Sequence, residues 1–140
     1  MIVSARNVLA GEVEMVLKGA VNSEIDLKLR GGEKVVATIT NVSAEALGLT
    51  AGTAAFAIIK ASEVIVGKGV QAGQFSARNV LGGVVSKLED GVVSSEVTIQ
   101  LPGGSEVVAS ITKTSAHSLD LKPGDNVSAI IKASNVIVGV

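Results

Sequence analysis

The chain has no cysteine and only one histidine, His117, among its 140 residues. These absences exclude a disulfide framework, a thiolate nucleophile and a metal site made of cysteines or several histidines. They also disfavour the common nucleophile–base pairs, because His117 is the only histidine that could activate a serine and no cysteine is present. The Gly31–Gly32 pair lacks the spacing and the following helix of a phosphate-binding loop. We therefore expect a binding protein, not an enzyme.

Aromatic residues and excess charge are also missing. Phe56 and Phe75 are the only aromatic residues, whereas small barrels that bind single-stranded nucleic acid usually stack bases on such side chains. The formal net charge of −1 attracts neither nucleic acid nor an anionic membrane. Apolar runs such as 54–59 are too short to span a bilayer, and residues 1–17 lack a secretory signal pattern. We expect a cytoplasmic protein without nucleic-acid or membrane partners.

What the chain does contain is one sequence written twice. The segment Ser4–Leu9 returns as Ser76–Leu81, and Ile58–Ser62 returns as Ile130–Ser134, each 72 residues later. Since both segments share one offset, no insertion separates them, and a repeat of this length indicates two successive structural units.

The repeat predicts two domains, residues 1–68 and 73–140, joined by a linker at 69–72. A unit of this size is marginally stable alone. The chain is 47% hydrophobic, which is high for so small a protein and favours apolar surface buried between units or subunits.

Each unit is predicted to be mostly strand, which makes the fold class all-β. Alternation and β-branched residues mark five strands in the first unit, repeated in the second: Glu12–Leu17, Ser23–Leu29, Lys34–Thr40, Ala54–Lys60 and Val64–Val66. Hairpin turns are predicted at Arg30–Glu33 and Pro102–Ser105, and short helical turns with N-caps at Ser43 and Ser115. This pattern predicts two tandem OB-like β-barrels, each with one helical turn. The alternative is a pair of open meanders with exposed edges.

The polar residues kept in both units are mostly hydrogen-bond donors. Charged positions have diverged elsewhere, as at Lys34 and Glu106, yet Arg6 is kept as Arg78 and Lys60 as Lys132. Arginine offers a fork of donors and lysine a point charge, and kept serines and threonines accompany them. Such a set suits a compact, multiply charged oxyanion.

Structural roles for the same residues stay open at this stage. Ser43 could simply cap its helical turn, and Thr40 could be an ordinary strand residue. Arg6 and Lys60 could be solvated charges or could pair with Glu24 or Glu63. The kept pair Glu24 and Glu96 favours a structural hydrogen bond or ion pair over acid–base work.

Three short motifs carry a family resemblance. They are Ser-Ala-Arg-Asn followed by Gly-x-Val, then Thr-x-x-Ser-Ala, then Ile-Lys-Ala-Ser-x-Val-Ile, and each occurs twice. Together they resemble the Mop domain of the TOBE group, and two tandem copies resemble the molbindins, cytoplasmic molybdate-binding proteins. The resemblance implies an OB-like barrel per unit, a homotrimer, and molybdate or tungstate ions held at interfaces, with no catalytic cofactor and no protein group bound directly to the metal. It also implies anions on the symmetry axis, near Gly19–Asn22.

The resemblance further implies which residues contact the oxyanion. In the first copy they are Ser4, Ala5, Arg6, Asn7, Thr40, Ser43, Ala44, Lys60, Ala61 and Ser62, and in the second Ser76, Ala77, Arg78, Asn79, Thr112, Ser115, Ala116, Lys132, Ala133 and Ser134. The function it implies is binding, storage and buffering of molybdate or tungstate. Two alternatives stay open: a ligand-sensing subunit of a molybdate transporter or regulator, and a structural oligomerisation module without a ligand.

Overall fold

The computed structural model describes all residues, 1–140, and consists mainly of strands. The strands are β1 (Asn7–Lys18), β2 (Asn22–Leu29), β3 (Lys34–Thr40), β4 (Ala54–Ile59), β5 (Ile65–Gly67), β6 (Asn79–Asp90), β7 (Ser94–Gln100), β8 (Glu106–Thr112), β9 (Asn126–Ile131) and β10 (Ile137–Gly139). Two short α-helices, α1 (Asn41–Ala46) and α2 (Lys113–Ser118), and two single-turn 3-10 helices, Ala61–Glu63 and Ala133–Asn135, complete the fold. The predicted all-β class and OB-like units are confirmed.

The first strand of each repeat is longer than predicted, because it serves two neighbours. The first half of β1 pairs with β4, starting at Asn7 opposite Ile59, and its second half pairs with β2. A bulge between Val13 and Met15 bends the strand where it changes partner. Gly11 allows the close approach to β2, since a Cβ there would collide with the Lys28 carbonyl.

The two repeats exchange their last strands. One sheet has the order β10-β4-β1-β2-β3 and the other the order β5-β9-β6-β7-β8. Thus β5 of the first repeat pairs with β9 of the second, and β10 returns to pair with β4. A single contiguous apolar core contains residues of both repeats, with Ile25, Ile59, Ile99 and Ile131 fully buried. Separating the repeats therefore requires breaking two strand ladders and the core.

The predicted N-caps at Ser43 and Ser115 are wrong. Helix α1 begins at Asn41, and its N-cap is Thr40, whose side-chain oxygen accepts from the Ser43 backbone N–H at 3.1 Å. Thr112 caps α2 in the same way through Ser115. The cap falls three residues earlier because β3 runs directly into the helix, so that its last residue has extended backbone and a free hydroxyl.

Candidate functional site

The predicted site segments lie against the opposite repeat. Asn7 is buried, and its side-chain amide forms two hydrogen bonds with the backbone of Val108 on β8, at 2.8 and 2.7 Å. Asn79 forms the same pair with Val36 on β3, at 2.8 and 2.7 Å. Each asparagine thus extends the hydrogen bonding of a sheet-edge strand, and its amide oxygen and nitrogen both have protein partners. This places Ser4–Asn7 over the second repeat and Ser76–Asn79 over the first.

The two kept arginines form ion pairs across the same interface. Arg6 donates from both terminal nitrogens to the Glu96 carboxylate, at 2.5 and 2.9 Å. Arg78 donates from Nη1 to Glu24 at 2.7 Å. The hydrogen bond from Arg78 lowers the pKa of Glu24, and the bond to Glu96 raises the pKa of Arg6. Both arginine side chains are more than half exposed, so they remain accessible from solvent.

The hydroxyls at the start of each helix form a short chain. The Thr40 hydroxyl donates to Ser43 Oγ at 2.9 Å while accepting from the Ser43 backbone N–H. Thr112 and Ser115 repeat this arrangement, with a hydroxyl contact of 2.8 Å. Because each serine hydroxyl accepts this bond and is exposed, its own hydrogen is left to point outward.

The 3-10 turns that follow β4 and β9 pack on the opposite repeat. The turn Ala61–Glu63 contacts β8, and the turn Ala133–Asn135 contacts β3. Within these motifs Lys60 and Ser62 are exposed while Ala61 is buried, so the turn presents the lysine and the serine outward. The lysines form no ion pair, unlike the arginines.

A groove of about 570 Å³ joins Ser62 of the first repeat to β8 and α2 of the second. Its polar lining is made of hydroxyls only: Ser62, Ser110, Thr112, Thr114, Ser115 and Ser118. Arg6 lies over the same sheet, since Glu96, its partner, pairs with Ser110 across β7 and β8. We call this set of residues, with Arg6, the first composite site. It combines donors from both repeats.

The second composite site occupies the corresponding place with the repeats interchanged, but Val42 and Ala46 stand where the first site has Thr114 and Ser118. Arg78 and Asn79 lie over β2 and β3, and the turn that carries Ser134 packs against β3, which leads into Thr40 and Ser43. Of the predicted residues, Ala44, Ala61, Ala116 and Ala133 are buried, so only their backbone groups can reach a ligand. The strand exchange thus brings together, in each composite site, predicted residues that lie in different repeats.

Two features of these sites were missed from the sequence. The first is the set of hydroxyls of Ser110, Thr114 and Ser118, which were not predicted. Ser110 could have been found, because it shares one face of β8 with Thr112 by the period of two. The second feature is Asp26, which is 5% exposed and lies 3.6 Å from Lys34. Burial raises the pKa of Asp26, and the second repeat has Thr98 at this position.

The described residues include no cluster of three acidic, histidine or cysteine side chains that could hold a metal ion. Neither helix has the length and apolar run needed to cross a membrane.

Two OB-like barrels that exchange strands and present donor side chains to each other define a tandem β-barrel binding module. The family model of the TOBE domain matches residues 3–66 and 76–138. The chain therefore belongs to the TOBE-domain family, with two tandem copies, as the motifs predicted.

Relatives and a solved structure support this assignment. The chain is 42% identical over 137 residues to the molybdenum-pterin-binding protein MopA of Rhodobacter capsulatus, covering 98% of this chain and 52% of that protein. It is 38% identical over 137 residues to the molybdenum transport protein ModE of Herbaspirillum seropedicae, covering 98% and 51%. The chain thus spans about half the length of these curated relatives. A structure of the cytoplasmic molybdate-binding protein ModG with molybdate bound matches with a TM-score of 0.96 at 46% identity, covering 100% of this chain and 99% of that chain.

Proposed function

We propose that this protein binds molybdate or tungstate at the two composite sites, in the cytoplasm and without catalysis. The observation that carries the proposal is the groove that joins Ser62 of the first repeat to Thr112 and Ser115 of the second. Arg6 lies over the same sheet, where it pairs with Glu96. The pairing of Arg78 with Glu24 marks the equivalent place in the other half. The likeness to a molybdate-bound ModG structure over the whole chain supports this choice of ligand.

The donor set matches the chemistry of a tetrahedral dianion. Its four oxygens only accept hydrogen bonds. Burying such a dianion is costly unless positive groups compensate its charge and donors bind its lone pairs. Arg6 and Lys60 supply positive charge, while Ser62, Thr112 and Ser115 supply directed hydroxyl donors. Cysteine and histidine are not needed, because oxo groups already fill the coordination sphere of the metal.

Selectivity follows from the scarcity of acceptors. Hydrogen phosphate carries a proton that needs an acceptor, and the residues proposed to contact the anion include no carboxylate. A buried donor without a partner costs about 1–3 kcal/mol. Sulfate is smaller than molybdate, so a rigid site fitted to the larger ion makes poorer contact with it.

We further propose that the chain works as a homotrimer. Large apolar side chains are exposed in both repeats: Val21 is 70% and Val42 76% exposed in the first, and Val92 is 94% and Val93 74% exposed in the second. Val21 and Val42 lie side by side, since the Asn41 N–H donates to the Val21 carbonyl. Paired apolar patches of this kind are typical of subunit contacts.

Storage and buffering is the proposed physiological task. The alternative of a ligand-sensing subunit is favoured by the ModE relative, which is about twice as long as the region matched. The other alternative, a structural module without a ligand, predicts no heat on titration with molybdate.

The test is isothermal titration with molybdate and tungstate, with sulfate as the control, combined with native mass spectrometry to count subunits and ions. We expect saturable heat with molybdate and little with sulfate. An Arg6→Ala/Arg78→Ala double variant is expected to bind at least about tenfold more weakly, since charge-assisted hydrogen bonds contribute about 1.5–3 kcal/mol each. Normal binding by that variant would remove the arginines from the site, and equal affinity for sulfate would refute the selectivity.

A further inference from the structure

Each arginine of the proposed sites already carries a carboxylate from the opposite repeat. Glu96 accepts from Arg6 at 2.5 and 2.9 Å, and Glu24 accepts from Arg78 at 2.7 Å. Equivalent arginines and glutamates pair in both halves, although the repeats have diverged at other charged positions, such as 34 and 106. It is therefore a recurring part of the interface between the repeats.

A guanidinium paired in this way offers less to an anion. Some of its N–H groups already donate hydrogen bonds to the carboxylate, and the ion pair has no net charge. An anion that binds the guanidinium must replace the carboxylate or share the donors with it. A tetrahedral dianion carries twice the charge of a carboxylate and has more acceptor oxygens, so it is suited to that exchange.

We propose that Glu24 and Glu96 set the affinity of the oxyanion sites by competing with the ligand for the arginine of the opposite repeat. This inference rests on the proposed function. It makes the glutamates affinity-determining residues that the bound anion displaces, and it predicts that neutralising either glutamate strengthens binding.

The two competing pairs differ in strength. Glu96 holds both terminal nitrogens of Arg6, and bidentate pairs are the stronger kind. Glu24 forms one contact with Arg78 and lies two residues from Asp26 on the same strand, and Lys34 lies 3.6 Å from Asp26. The release of Arg6 from Glu96 should therefore cost more than the release of Arg78 from Glu24.

The experiment compares molybdate titrations of the wild type, Glu96→Gln and Glu24→Gln at low ionic strength. Glu106→Gln is the matched control, because it removes the same charge from an exposed position at the start of β8. We expect Glu96→Gln to lower the Kd by about three- to tenfold, the range set by an exposed to half-buried ion pair. Glu24→Gln should give a smaller gain and Glu106→Gln none. The gains should shrink in 0.5 M salt, which screens exposed pairs.

The possible outcomes distinguish a failure of this inference from a failure of the proposed function. If the wild type gives no molybdate heat, the proposed function fails and the inference falls with it. If the wild type binds molybdate but neither glutamine variant binds it more tightly than the wild type does, the competition is refuted. The glutamates would then position the arginines instead. Circular dichroism confirms folding, and if one variant does not fold, the other decides alone.

Discussion

The buried side-chain amides of Asn7 and Asn79 lead to the most specific stability prediction. Asn79 is 2% exposed and bonds both the N–H and the carbonyl of Val36, which is itself 6% exposed. Replacing Asn79 with alanine removes two hydrogen bonds and leaves two buried backbone groups of β3 without partners. Since an unsatisfied buried group costs about 1–3 kcal/mol, we expect Asn79→Ala to lower the free energy of unfolding by about 2–4 kcal/mol.

The equivalent substitution in the first repeat, Asn7→Ala, should lower the free energy of unfolding by less. Asn7 bonds Val108 with nearly the same distances, 2.8 and 2.7 Å, but Val108 is only half-buried, so water can reach the freed groups. We expect about 1–2 kcal/mol for Asn7→Ala. Asn126→Ala, at an exposed position that begins β9, is the matched control and should change stability by less than about 0.5 kcal/mol.

The assay is urea unfolding followed by circular dichroism, at one fixed protein concentration because subunit association would shift the midpoint. A loss below about 1 kcal/mol for Asn79→Ala, or a larger loss for Asn7→Ala than for Asn79→Ala, would refute the reasoning. Either result would mean that the freed backbone groups of β3 find other partners.

Two further predictions concern the repeat interface and pH. A Cβ on Gly103 would collide with the Gly31 carbonyl where the two hairpin turns meet, so Gly103→Ala should destabilise the protein by about 1–3 kcal/mol in thermal melts. Gly82→Ala is the control and should not destabilise it, because a Cβ there would meet nothing within 4 Å. Equal stability of the two variants would contradict this. Burial raises the pKa of Asp26, so the folded protein binds this proton more tightly than the unfolded chain, and ionisation of Asp26 above the unfolded pKa of about 3.9 costs stability. Asp26→Asn should therefore melt at a higher temperature than the wild type at pH 7, with the difference shrinking toward pH 4, and a difference independent of pH would exclude Asp26 as its source.

The sequence by itself predicted most of the strands and the class of ligand that we propose. Alternating apolar residues placed the strands, because one face of each strand must be buried, and β3 was predicted with its observed bounds. The 72-residue repeat predicted two units, and the kept arginines, lysines and hydroxyls predicted an oxyanion ligand. The absence of cysteine and of a second histidine favoured binding over catalysis. All of this follows from residue identity and local spacing.

The tertiary structure alone decided which residues meet. Nothing in the local pattern of β5 and β10 states that each strand pairs with the other repeat, since the repeats are alike and either pairing satisfies the same alternation. In the folded protein Arg6 pairs with Glu96, and Ser62 and Thr112 line the same groove. Long-range strand pairing and burial, not local preference, therefore bring residues of both repeats together in each composite site.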